Sequence, residues 1–99
     1  MKIVKFASIV LGKDYHPSEN SAAFSNEYND TTFIGVSSID EACALVIRLA
    51  DSGYECVELC GAFGEAGARK VMEAAGGKIA IGYSVHFPEQ DALFDRLFS

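Results

Sequence analysis

Apolar and polar positions fall in blocks along the chain, and the blocks predict alternating strands and helices. Residues 2–11 are β-rich and nearly continuously apolar, the pattern of a strand covered on both faces. Residues 12–31 are polar, and a structureless loop of that length is unusual in a compact domain. Pro17 suits a helix N1 position, and Phe24 and Tyr28 form an i,i+4 pair behind it, so a short helix over 18–27 is expected. Thr32-Phe33-Ile34-Gly35-Val36 reads as a second strand. Ser38-Ile39-Asp40-Glu41 then matches a capping box, with Ser38 as N-cap and Glu41 at N3. Ile39, Ala42, Cys43, Val46, Ile47 and Ala50 follow at helical spacing, and Gly53 stops the helix. Leu45 and Leu49 lie outside that stripe, so the helix over 39–52 carries more apolar surface than one sheet face needs. Glu55 to Cys60 reads as a third strand, 65–75 as a helix ended by Gly76-Gly77, 78–86 as a fourth strand, and 89–98 as a last helix burying Leu93, Phe94, Leu97 and Phe98.

The order β(α)βαβαβα predicts one α/β domain over residues 1–99. Its expected form is a small, mostly parallel four-stranded sheet flanked by helices, with right-handed crossovers. Ninety-nine residues hold one modest core and exclude a (β/α)₈ barrel, which needs about 200 or more. Open sheet edges and surplus apolar helix surface point to a homo-oligomer.

Charge narrows the partners. Fourteen acidic residues against eight basic ones give a net charge of −6, which disfavours nucleic acid and anionic membrane surfaces. Arg69-Lys70, with Lys78 beyond, is the nearest thing to a basic cluster and reads as a solvated helix face. No window approaches the ~18 apolar residues of a membrane span. The first eleven residues superficially resemble a signal peptide, but Lys5 interrupts the apolar stretch and no small-residue cleavage site follows. The three cysteines, Cys43, Cys56 and Cys60, are odd in number. Cys56 and Cys60, in one strand, would have Cα atoms roughly 13 Å apart, too far for a bridge. Reduced thiols suit the cytoplasm. No CxxC pair or cofactor fingerprint is present, so no cofactor is expected.

In open parallel sheets ligands bind beyond the carboxyl ends of the strands. The loops meeting there carry Asp14 and His16, Ser37 and Ser38, Gly61 to Gly64, and His86 to Gln90. Strand alternation puts Cys56, Glu58 and Cys60 on one face of the third strand, and Gly82, Ser84 and His86 on one face of the fourth. A cluster of Glu58, Cys60, Ser84 and His86 follows if those faces agree. The plain alternative leaves Glu58 reaching solvent or pairing with a lysine, because a buried carboxylate needs a partner. Cys60 and His86 have the chemistry of a nucleophile and base, although a cysteine at a strand end is commonly a small core residue. His86 alone reads more readily as a structural histidine, and His16 as plain surface. A metal held by His16, His86, Asp14 and Glu58 lacks any supporting spacing, and no metal is expected. Gly61-Ala62-Phe63-Gly64-Glu65-Ala66-Gly67 reads GxxGxxG, neither the dinucleotide fingerprint nor a P-loop. Bare amides at a helix start favour a small anion or carboxylate, whereas Glu65 opposes one, and the alternative is a tight turn with Gly67 letting the helix pack closely.

Glu58-Leu59-Cys60-Gly61-Ala62-Phe63-Gly64, then Gly76-Gly77 and Gly82-Tyr83, then His86-Phe87-Pro88-Glu89-Gln90-Asp91 resemble a family of short, stand-alone prokaryotic proteins catalogued as a domain of unknown function. The resemblance covers nearly the whole chain and is strongest from residue 55 onward. It carries no activity, cofactor or catalytic residue; what it implies is a complete small protein rather than a fragment of a known enzyme.

The residues therefore point to a small-molecule-binding domain whose site lies at the C-terminal edge of the sheet. Gly61, Gly64, Ser84, His86, Asp14 and His16 are its candidate contacts. One alternative is a lyase, isomerase or hydrolase using His86 with Glu58 or Cys60. Another is an oligomeric interaction module working through the helix over 39–52.

Overall fold

The computed structural model describes residues 2–98. Five strands form one sheet: β1 (Val4–Leu11), β2 (Ser21–Ser25), β3 (Asn29–Val36), β4 (Cys56–Leu59) and β5 (Ala80–Tyr83). Three helices complete the chain: α1 (Ile39–Asp51), α2 (Gly64–Ala75) and α3 (Asp91–Phe98). The strand order is β2-β3-β1-β4-β5, parallel throughout except for β2, which runs antiparallel to β3. The α/β class stands, with five strands where four were expected.

The extra strand corrects the helix expected over 18–27. Ser21 to Ser25 pairs with Ile34 to Asp30. The turn between the strands is closed by Asn26, whose Oδ1 accepts from the backbone N–H of Tyr28 and of Asn29. That side chain mimics a backbone turn, so no glycine was needed to make the hairpin. Phe24 does not pair with Tyr28 along a helix; its ring stacks on Phe33 across the strands, 6.2 Å between centroids.

Both crossovers, β3 to β4 through α1 and β4 to β5 through α2, advance in the same direction along the sheet. Crossovers of one hand then place both helices on one face. There Ala7, Ile9, Ile34, Val36, Val57 and Leu59 meet Ala42, Val46, Ala68 and Val71 in the core. On α1 the buried residues are Ala42, Leu45, Val46 and Leu49, so the two leucines set outside the stripe belong to it and Ile47 stays 49% exposed. α2 packs closely on α1 at Gly67, where an added Cβ would stand 2.8 Å from Ile39 Cδ1. That contact is the close-packing role weighed for Gly67.

The other sheet face is covered by no helix among the described residues. Val4, Phe6, Ser8 and Val10 of β1 point there, alternating with the buried Ala7 and Ile9. This corrects the reading of β1 as covered on both faces: its continuous apolar run reflects one helix-packed face and one uncovered face that is itself apolar.

α1 begins nearly as its sequence predicts. Glu41 N–H donates to Ser38 Oγ at 3.0 Å, while the Glu41 carboxylate reaches one residue further back than in the standard box, accepting from Ser37 N–H at 2.7 Å. Ser38→Ala should cost about 1 kcal/mol of folding stability. A urea titration beside Ser37→Ala, which leaves the Ser37 backbone donor in place, checks this: the loss at 38 should be the larger.

The last helix is a third correction. Leu93, Phe94, Leu97 and Phe98 are not buried; they are 48%, 39%, 74% and 81% exposed. The strand before it ends at Tyr83 rather than at 86. Residues 84–98 thus leave the body as an arm, and the molecule measures 44 Å along one axis against 26 Å along the other two. No helix among the described residues is long and apolar enough to cross a membrane.

Candidate functional site

The parallel strands β3, β1, β4 and β5 end at one edge of the sheet, and the loops that follow them gather there. The loop after β1 is tightly self-bonded. Asp14 takes a left-handed conformation (φ 64°), the His16 carbonyl accepts from the N–H groups of Glu19 and Asn20, and His16 N–H donates to Asn20 Oδ1 at 2.8 Å. Asp14 and His16 are both solvent-exposed on this turn. What the loop turns inward is Tyr15. Its ring lies over Gly12 and Gly35: a Cβ at 12 would come within 2.5 Å of Tyr15 Cε2, and one at 35 within 2.9 Å of Tyr15 Cγ. Only glycine at those positions lets the ring lie so close to the backbone.

Beside the ring is a shallow, open cavity of about 400 Å³, floored by Val10, Phe33 and Gly35 on the uncovered sheet face and rimmed by Tyr15, Glu19 and Asn20. None of these six residues was singled out for a site from the sequence. The signal available was Gly35, a glycine inside a strand pattern, which marks a close approach to the backbone.

Glu58 lies on the same uncovered face, between Ser8 of β1 and Gly82 of β5 in register. Its carboxylate rests over Gly82, where a Cβ would stand 2.9 Å from Oε2. It is half-buried and makes no ion pair or hydrogen bond among the described residues. The uncovered face explains how an interior strand tolerates it, because water reaches the charge. Glu58 therefore fits the solvent-reaching alternative rather than a lysine pair.

Cys60 and Ser84 are neighbours at the sheet edge through the backbone. Ser84 N–H donates to the Leu59 carbonyl at 2.9 Å, and the Ser84 carbonyl faces Gly61. The Cys60 thiol is already engaged, with Sγ accepting from Leu11 N–H at 3.2 Å, and the residue packs against the core. His86 belongs to the arm. Its ring stacks on Phe94, 4.1 Å between centroids and 8° from parallel, and Nε2 stands 2.7 Å from Asp91 Oδ1. No hydrogen bond joins His86 to Glu58 or Cys60, so the four-residue cluster is only partly assembled: Cys60 and Ser84 are adjacent, Glu58 shares the sheet face, and His86 makes its contacts elsewhere.

Gly61 takes an ordinary conformation, whereas Gly64 has φ 64° and ψ 174°. At the start of α2, Glu65 accepts from Arg69 Nε at 3.1 Å. The carboxylate in the first turn stands where an anion would otherwise be attracted by the helix. No group of three or more His, Cys, Asp or Glu side chains among the described residues is placed to hold a metal ion.

The other two thiols are both shifted upward. Partial burial pushes Cys56 up from its usual range, with the Glu58 carboxylate adding to it. Burial likewise raises Cys43, reinforced by Asp40 and opposed by Lys70. All three cysteines are free.

Searches of curated proteins and of solved structures find no match to this chain. A family profile matches residues 4–99, from the start of β1 through the arm. The blocks that first suggested a resemblance, around Glu58 to Gly64 and His86 to Asp91, both lie within that match. The chain belongs to the family of unknown function DUF6506.

Proposed function

We propose that this protein binds a small organic molecule, neutral or cationic, at the C-terminal edge of its sheet, against the uncovered face. The observation that carries this reading is the cavity beside Tyr15. At about 400 Å³ it falls within the size of small-molecule sites, and it combines an apolar floor with a few polar rim groups in the usual way. Tyr15 supplies a flat ring held in place by two glycines, and Asn20 and Glu19 supply hydrogen-bonding atoms. Glu19 on the rim, Glu58 on the same face and a net charge of −6 act against an anion. This departs from the anion or carboxylate ligand considered from the glycine block.

Three aromatic fragments of similar size test the reading: benzyl alcohol, benzylamine and benzoate, each titrated into ¹⁵N-labelled protein. Amide shifts at Val10, Tyr15 and Gly35 are expected with the first two and much weaker ones with benzoate. Tyr15 is 39% exposed, so Tyr15→Ala should fold. It should weaken the binding at least ~10-fold, the loss of one aromatic contact in a pocket. Absence of shifts at those amides, or shifts that survive Tyr15→Ala, would overturn it.

A further inference from the structure

Two apolar surfaces of this chain are left uncovered by the chain itself, and they fit each other. One is the end of the sheet face away from the Tyr15 cavity, which carries Val4, Phe6 and Phe24, with Phe24 65% exposed. The other is the arm after β5, where Val85, Phe87, Leu97 and Phe98 are each more than 70% exposed. We infer that the protein is a symmetric dimer in which each arm lies across that end of the uncovered sheet face of the other copy, leaving the cavity beside Tyr15 open.

Two observations carry this, neither of them drawn from the ligand reading above. First, α3 has only eight residues, and isolated helices shorter than ~12–15 residues are marginal in water. A short helix with every residue exposed needs a surface to hold it, and none of its own body is in place. Five strands at ~4.8 Å spacing account for roughly 24 Å of width. The 44 Å long axis is therefore the arm reaching past the body rather than folding back over it.

Second, the area matches. With a full aromatic side chain worth ~150–250 Å², the exposed apolar groups of the arm offer on the order of 700 Å². A standard interface takes about 800 Å² per partner. Under two-fold symmetry each copy gives an arm and receives one, so the contact closes on itself and does not propagate.

The surplus apolar surface that pointed to an oligomer from the sequence is thus found on the arm and the open sheet, with only Ile47 left exposed at that level on α1.

The test is the solution mass of the full chain by light scattering at tens of micromolar. The expected value is twice the 10.6 kDa chain mass. Leu97→Asp on the arm and Phe24→Asp on the face alter exposed side chains, so both should keep the far-ultraviolet circular dichroism of the native fold. Each should raise the dissociation constant by roughly 100-fold or more, the effect of removing an interface anchor. Met72→Asp, exposed on the helix side, should remain a dimer. Mixing Leu97→Asp with Phe24→Asp restores one intact arm-on-face contact, and dimer should reappear at higher concentration. A monomeric native chain would overturn the inference. So would dissociation by Met72→Asp, loss of the dimer with Leu97→Asp but not Phe24→Asp (arm packed on arm), or a mixture that stays monomeric.

Discussion

Ile9→Ala should cost about 3–5 kcal/mol of folding free energy and lower the melting temperature by roughly 15–30 °C. Ile9 is fully buried on β1, the central strand. Its register partners are Ile34 of β3 and Leu59 of β4, both buried, and α1 and α2 close the space above them. Three strands fix that position laterally and two helices cap it, so the surroundings have little freedom to collapse into the volume left behind. Cost rises with the cavity that persists, which places this site toward the upper part of the usual range. Ile47→Ala removes the same atoms from a half-exposed position and should change stability by no more than ~0.5 kcal/mol. Thermal and urea unfolding of the two variants would check the contrast; similar losses at 9 and 47 would refute the one-sided core.

Gly64→Ala should cost about 1–3 kcal/mol while Gly61→Ala stays nearly neutral. The two glycines stand three residues apart in the same block and differ in their backbones. Gly64 has φ 64° and ψ 174°, a region open to glycine alone. Nothing lies within 4 Å of a Cβ placed there, so the penalty is conformational and not steric. The backbone has little room to relax, because Phe63 immediately before it is anchored in the core at 4% exposure and α2 starts at once. At Gly61 an added methyl meets only the Ser84 carbonyl, at an ordinary 3.5 Å. Equilibrium unfolding in urea separates the two; equal losses would contradict the backbone account. The result would also explain Gly64 through chain direction, without any ligand at the turn.

The parts of the fold legible in the sequence are those where local chemistry and tertiary packing agree. Ser38 and Glu41 announced the start of α1 because a cap is satisfied within four residues, whatever surrounds it. The strand at Cys56–Leu59 and the helix at Gly64–Ala75 were legible for the same reason: glycines bound them and apolar residues recur at one period. β2 was hidden because Ser21-Ala22-Ala23-Phe24-Ser25 has neither a strong β preference nor a buried face; it is a strand because β3 offers an edge and Asn26 closes the turn. The amphipathic pattern of α3 was read correctly and its burial was not. Periodicity locates an apolar stripe but does not say what covers it. His86 was placed on a sheet face by extending strand alternation three residues beyond Tyr83, where the strand actually stops. The cavity escaped because its key side chain, Tyr15, sits in a polar loop and acquires its position by lying over Gly12 nearby and Gly35 twenty residues away.

The central position of β1 also sets an order of events during folding. β1 precedes both of its neighbours in the chain, and its pairing residues lie far downstream: Val4 pairs with Asn29 and Phe6 with Cys56. Its most apolar stretch therefore stays unpaired until β3 has been made, and the far side remains open until α1 and β4 are in place. Long-range parallel pairing of this kind folds slowly, because loop closure must be completed before the contacts that stabilise it form. The β2–β3 hairpin is the one piece of the sheet able to assemble from local contacts alone.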